Sequence, residues 1–400
     1  MTNKSSRIPA QHASLTAGSN TSPSSGLNTS PAAQKFLAGI LLLGILLRIG
    51  ICFFTHLPNM HKDSFEYYKQ ADTLLAGGYT NYFPNGYPFL IALVKIISVT
   101  HTDTILLWCN IIMSSLTIWF VYDIGKRLSG QTSLGLVAAG ILAVFPSQIN
   151  YVRWLMTEVP TSFFLLGAFF FYYRRQYAWS GLFAGIAVVV RTNVAPVFVL
   201  LLILEIYRLV KNKQPRLTAK MLSLLSAGFF LPVLLVCYYS DIKTGDFSVS
   251  GNNQINILYA VTASGDYIDY TLGDKHPEIN TTGKAVHMYL DHLVTSPLQF
   301  ARQKLANLWE LWGFYASASD GGRGVGSRIL LGAGNFFLVV FGLIGWWHHR
   351  KNFSVSILIL PFLVVTLLHT FLFAMPRYTY PVEPFMLLLA AWAVAYNSEK

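Results

Sequence analysis

The sequence predicts an all-α polytopic membrane protein with about ten transmembrane helices, a re-entrant or juxtamembrane first outer loop and a small outer domain. Three observations predict it. Of the 400 residues, 53% are hydrophobic and only 12% are charged, about half the charged share of soluble domains. Apolar runs of roughly 17–22 residues recur along most of the chain, each long enough to cross a hydrocarbon core about 30 Å thick as a helix. The basic residues gather in short clusters between those runs: Lys126 and Arg127, Arg174 and Arg175, Lys211 to Lys220, Arg350 and Lys351. A net charge of +11 would suggest nucleic acid for a soluble chain. Clusters at the ends of spans instead follow the positive-inside pattern, and no nucleic-acid partner is expected.

Residues 1–34 are rich in Ser, Thr, Asn, Ala and Pro. They bury too little apolar area to fold and read as a disordered cytoplasmic tail, without the apolar core of a cleavable signal peptide. The first span is Phe36–Phe54. Further spans fall near 104–122, 132–150, 159–173, 178–190, 193–210, 220–239, 328–347, 353–374 and 380–396, the one at 178–190 being short. Residues 88–99 form an apolar stretch of about a dozen residues, too short to cross, which reads as interfacial or re-entrant. Placing the N-terminus in the cytoplasm puts every basic cluster inside, and an even number of spans returns the C-terminus, Glu399–Lys400, to the same side. The chain then divides into the tail, a transmembrane region 35–239 with a first outer loop 55–103, an outer segment 240–327 and C-terminal spans 328–400. The outer segment is polar and long enough for a small folded cap, with Asn252, Asn253 and Asn256 in an ordered stretch. Cys52, Cys109 and Cys237 all fall in spans and read as small apolar residues, not as a disulfide framework or thiolate metal site.

With this topology the notable polar residues fall on the outer side. Asp63 follows the first span, Glu158 stands at the mouth of the fourth, Arg191 lies between the fifth and sixth, and the last outer turn carries Arg377, Tyr378 and Glu383. Each has a plainer role when taken alone. An acidic residue at a helix start caps the helix or favours its dipole, and an arginine at the end of a span snorkels to head groups. His61 beside Asp63 is a weak metal signal. Arg48 is expected toward the outer end of its helix. Joint sidedness favours chemistry. A carboxylate can take a proton from an acceptor hydroxyl, and guanidinium groups can hold a phosphate and stabilise its charge as it leaves.

The stretch DSFEYYKQADTLLAGG followed by YFPNGYPFLIALV resembles the first outer loop of the GT-C glycosyltransferases, in particular bacterial members related to protein O-mannosyltransferases and the lipid A aminoarabinose transferase. The matching positions are Asp63, Tyr67 and the turn Asn85-Gly86-Tyr87-Pro88, where Asn85 replaces the usual proline. SGLFAGIAVVVRTN resembles the Gly-rich fifth span ending in arginine, and PRYTYPVEP the last outer turn. The order of these motifs over roughly residues 36–398 is what makes the resemblance specific. It implies inverting transfer of a sugar from a polyprenyl-phosphate-linked donor to a hydroxyl on a lipid, glycan or protein. The reaction would sit at the outer face of a bacterial inner (plasma) membrane. Asp63 would be the base and Glu158 the second catalytic carboxylate. Arg191, Arg377 and Tyr378 would hold the donor phosphate, and Tyr67, Gly86, Tyr87 and Pro88 would form the substrate loop. Superfamily members differ in metal use. The first loop reads His-Lys-Asp with no second ligand in sequence, so no metal site is assigned, although a divalent metal stays open.

Two other classes compete with this reading. A transporter or flippase of lipid-linked or phosphorylated sugars would favour repeated halves and charges near mid-span. A scaffold subunit would need no working site.

Overall fold

Ser30 starts the first helix. Its hydroxyl accepts a hydrogen bond from the Ala33 amide at 3.2 Å, and Pro31 occupies the first helical position, where its missing N–H costs nothing. Helix α1 therefore runs Pro31–Phe53, beginning ahead of the apolar run that opens at Phe36. The computed structural model describes residues 30–55, 60, 62–211, 213, 215–313 and 325–396. Most of the expected tail, His61 and the terminal Glu399–Lys400 lie outside the described residues.

Two helices of the first loop follow, α2 (Lys62–Leu75) and α3 (Gly86–Ile97). Then come α4 (Thr102–Ser129), α5 (Thr132–Val144), α6 (Pro146–Asn150), α7 (Glu158–Tyr173), α8 (Tyr177–Val190), α9 (Ala195–Lys211) and α10 (Pro215–Thr244). Among the described residues, five helical segments are long and apolar enough to cross a membrane: Pro31–Phe53, Thr102–Ser129, Thr192–Lys211, Arg216–Thr244 and Phe353–Phe371. A sixth candidate is broken. Sequence predicts one span over 132–150, but α5 and the helical turn Pro146–Arg153 meet at 56°. Pro146 offers no amide to continue the ladder, and its ring crowds the preceding turn.

Close packing holds the bundle together. Gly181 and Gly185 of α8 face α10, where a Cβ on Gly185 would come 2.7 Å from Cγ of Pro232. Small residues spaced by four let two backbones approach in this way. Arg48, expected near a helix end, is sunk fully inside. Its Nε donates to Ser114 Oγ at 2.7 Å and its Nη1 to the carbonyls of Gly44 (3.0 Å) and Ala143 (3.1 Å). It thereby ties α1 to α4 and α5, and the hydrogen bonds offset the cost of desolvating its charge.

The segment expected from residue 240 begins later, because α10 continues to Thr244. It then folds as α11 (Asn253–Thr262), α12 (Leu272–Lys275), α13 (Thr282–Thr295) and α14 (Pro297–Leu311). Leu258, Val261 and Leu272 form its core with Ile255, Ile279, Met288 and Tyr289 packed around them. Asn252 stands at the N-cap of α11, and its side chain accepts from Ser250 Oγ at 2.7 Å. The unit is fastened to the first loop and to the bundle. Asn81 Nδ2 donates to Asp246 at 2.7 Å, the Gly251 amide to Asn81 O at 2.6 Å, and Asn307 Nδ2 to Thr370 O at 3.1 Å. Helices α15 (Val325–His349), α16 (Phe353–Ser356), α17 (Leu360–Phe371) and α18 (Glu383–Tyr396) complete the chain. The basic turns meet at the other end of the bundle. Asp123 takes both Arg127 and Arg174, Tyr173 Oη donates to Ser354 O at 2.7 Å, and Arg208 lies 4.9 Å over the Phe353 ring.

Candidate active site

Four helix termini deliver the charged residues singled out in sequence. Asp63 sits in the first turn of α2. Glu158 is the first residue of α7. Arg191 ends α8, its amide still bonded to Ala187 O at 2.8 Å while its backbone turns extended. Arg377 and Tyr378 lie on a short 3-10 turn, Pro376–Thr379, between α17 and α18. Glu383 fixes that turn from below. Its carboxylate accepts from Ser147 Oγ, from Gln148 Nε2 at 2.8 Å and from Thr379 Oγ1 at 3.5 Å, while Gln148 Nε2 also reaches Tyr380 O at 3.0 Å. Sequence placed Glu383 with the outer cluster; the structure turns it inward as an anchor.

The four residues form one continuous chain of charges. Arg377 Nη2 donates to Asp63 Oδ2 at 2.6 Å, and Arg377 Nε lies 3.7 Å from Glu158 Oε1. Arg191 Nη1 donates to the same Glu158 oxygen at 3.1 Å. Two guanidiniums thus share one carboxylate oxygen. The side chain of Glu158 keeps 3% exposure and that of Asp63 keeps 29%, so the array runs from a dry inner carboxylate to a reachable outer one. Burial works against the charge of Arg377, but Tyr378, Glu158 and Asp63 together hold its pKa above the ordinary value. The Tyr378 ring lies 4.7 Å from the Arg191 guanidinium and 5.6 Å from that of Arg377, within cation–π range of both.

Tyr67 and Tyr87 are buried and meet edge to face at 5.5 Å, with Pro88 beside them. Burial, together with the charges of Asp63 and Glu158, pushes the Tyr67 phenol up, so it stays protonated beside the array. Gly86 opens α3 against the end of α8. A Cβ there would stand 2.7 Å from Val189 O and 2.8 Å from Val190 N. Only glycine lets the first loop approach the strand-like exit that carries Arg191. Gly86, Tyr87 and Pro88 therefore sit in the packing behind the array.

The donor set does not suit a divalent cation. Both carboxylates already face guanidinium groups, and a metal between them would meet two positive charges. Among the described residues no group of three or more His, Cys, Asp or Glu side chains converges.

Sequence reading missed two residues here. His369, in the last turn of α17, packs its ring against that of Tyr378, tilted by 32° with centroids 4.2 Å apart, and its Nε2 lies 2.8 Å from Asn193 Nδ2. A histidine inside an apolar span is costly to bury, and that cost was the available signal.

Comparison with known proteins agrees with this architecture. Residues 84–239 match the family described as dolichyl-phosphate-mannose-protein mannosyltransferase. The chain matches no curated protein. Among solved structures, it is similar to the oligosaccharyltransferase of the archaeon Archaeoglobus fulgidus, determined with an inhibitory peptide and a dolichol-phosphate. That similarity has a TM-score of 0.52 at 14% identity and covers 92% of this chain and 51% of the other. The chain thus spans about half the length of the enzyme it resembles in fold. Residues 84–239 thus resemble that mannosyltransferase family, and the chain as a whole shares its fold with the archaeal oligosaccharyltransferase.

Proposed function

We propose that the protein transfers a sugar from a polyprenyl-phosphate donor to a hydroxyl on a lipid, glycan or protein, with inversion, at the outer face of the membrane. The observation that carries this reading is the array Asp63–Arg377–Glu158–Arg191, held at the end of the bundle away from the basic turns. The acceptor oxygen forms a bond to the anomeric carbon, the bond from that carbon to the phosphate oxygen breaks, and the acceptor proton passes to Asp63. The phosphate leaves with the electron pair, and Arg191 and Arg377 neutralise the charge that develops on it.

Asp63 is the preferred base because it is the more exposed of the two carboxylates. Glu158, shared by two arginines, orients them. Arg377 holds Asp63 at 2.6 Å in this form. A donor phosphate competes for the same guanidinium, and its arrival frees the carboxylate for the acceptor. On this reading both termini are cytoplasmic and the host is a bacterial inner membrane. The positive-inside pattern supports the sidedness, and the resemblance to bacterial members supports the host.

The test is direct. Purified protein in lipid nanodiscs, given a panel of polyprenyl-phosphate sugars, is expected to release polyprenyl phosphate with at least one donor. Quantitative transport of an intact donor between leaflets without cleavage would replace this reading with the flippase.

A further inference from the structure

We propose that His369 is a positioning residue that clamps the two arginine-bearing turns to each other and so sets the spacing of the guanidinium pair. The inference rests on the reading of Arg191 and Arg377 as the phosphate-binding groups.

His369 belongs to neither turn. It projects from α17 and is 6% exposed. Its Nδ1 lies 3.1 Å from the Phe373 carbonyl, which can only accept, so Nδ1 carries the hydrogen. Its Nε2 then accepts from Asn193 Nδ2 at 2.8 Å. The two contacts together specify the neutral Nδ1–H tautomer. An imidazolium here would add a third positive charge beside two guanidiniums and set one N–H against another.

The partners are what distinguish His369 from an ordinary satisfied core histidine. Asn193 lies two positions after Arg191, on the 3-10 turn Thr192–Val194. Tyr378 directly follows Arg377, and its ring takes the imidazole at 4.2 Å and the Arg191 guanidinium at 4.7 Å. One side chain thus grips the turn that carries Arg191 by a hydrogen bond and the turn that carries Arg377 by a tilted ring-to-ring contact. Phosphate recognition by two planar forks depends on their separation, and a displacement of about 1 Å costs roughly a hundredfold in rate.

Three variants test the clamp. His369→Leu removes both contacts. His369→Phe keeps a ring against Tyr378 and loses the hydrogen bonds. His369→Gln restores an acceptor for Asn193. In the Leu variant, KM for the donor is expected to rise about tenfold or more while KM for the acceptor holds. The Gln variant is expected to recover most of that loss, and the Phe variant to fall between. Phenylglyoxal labelling of Arg191, followed by mass spectrometry, supplies a readout that needs no turnover, and labelling is expected to run faster in the Leu variant. Unchanged Arg191 labelling, or equal loss for donor and acceptor with no recovery by Gln, would overturn the clamp. If wild-type protein cleaved no donor while Arg191 labelling still accelerated in the Leu variant, the clamp would stand and the phosphate-transfer reading would fall.

Discussion

Arg377 reaches back across 314 positions of chain to donate a 2.6 Å hydrogen bond to Asp63. It joins the turn before α18 to the first turn of α2. The Asp63 side chain keeps 29% exposure and that of Arg377 11%, so the carboxylate end is the more accessible of the two. Asp63 can meet an acceptor, whereas Arg377 is held by Tyr378 and by the carboxylate of Glu158.

Asp63→Asn keeps the size of the side chain and removes its basicity. Turnover is expected to fall by about 10²–10⁴-fold with donor binding retained. Polyprenyl-phosphate release by well-folded variant protein measures it. A wild-type rate would move the base to Glu158. Glu158→Gln is expected to behave differently, lowering stability as well as rate, because two guanidiniums lose the charge they share.

Arg377→Lys and Arg191→Lys keep the charge and lose the planar fork. Donor affinity is expected to weaken by about 10–100-fold in each, from the loss of one or two charged hydrogen bonds. Arg377 should show the larger effect, since its fork spans both carboxylates. Titration of each variant with a donor analogue reads this out. An unchanged affinity would make that arginine a head-group anchor.

Topology has its own test. Lys275, whose side chain is 58% exposed, sits on α12 of the helical unit between α10 and α15. In Lys275→Cys protein, a membrane-impermeant maleimide is expected to label from outside intact cells. Labelling only after the cytoplasmic face is opened would invert the orientation.

Burial lowers the Lys304 ammonium from 10.5 to about 8, even though its Nζ donates to the Ala260 carbonyl at 2.8 Å. Between those two values the unfolded chain holds a proton that the folded chain has lost, so stability rises with pH across that window. The full effect is worth at most roughly 3 kcal/mol. Melting curves of wild type and Lys304→Met, compared at about pH 7 and about pH 10, are expected to converge or cross as the wild type gains. Parallel behaviour would mean that the ammonium is solvated.

Gly86→Ala places a methyl 2.7 Å from the Val189 carbonyl. Overpacking of this kind costs about 1–3 kcal/mol. Because Arg191 follows two residues later, turnover is expected to drop about tenfold or more alongside the loss of stability. Full activity in Gly86→Ala protein would show that the approach of α3 to α8 does not set Arg191.

That Asp63, Glu158, Arg191 and Arg377 gather at one end of the bundle was legible in sequence, and their partnership was not. Basic clusters and apolar runs place Asp63, Glu158, Arg191 and Arg377 on one face, but nothing local says that Arg377 bonds Asp63 or that Glu158 bridges two arginines. Those pairings are made by helices that meet only when the bundle packs. The bend at Pro146 was legible in principle, since a proline inside an apolar run breaks the ladder. The apolar length of 132–150 concealed it. Glu383 was misplaced because residues 376–383 look like a single outer turn, whereas Ser147 and Gln148 draw the carboxylate into the bundle. Arg48 shows the same effect. It was expected toward the outer end of its helix, and Ser114 with two carbonyls captured it inside.

The seam between α8 and α10 has a consequence for how this protein tolerates mutation. Gly181 and Gly185 leave no room for a methyl group, and the helix they seat ends at Arg191. A side chain added at Gly185, well below the polar array and in contact with none of it, would tilt or lift α8 and carry the guanidinium with it. In a saturation screen such positions would score as dead alongside Asp63. Intolerant sites would then trace two overlapping patterns, one of chemistry at the rim and one of clearance along the helix axis. Depth in the bundle, not the severity of the defect, is what would tell them apart.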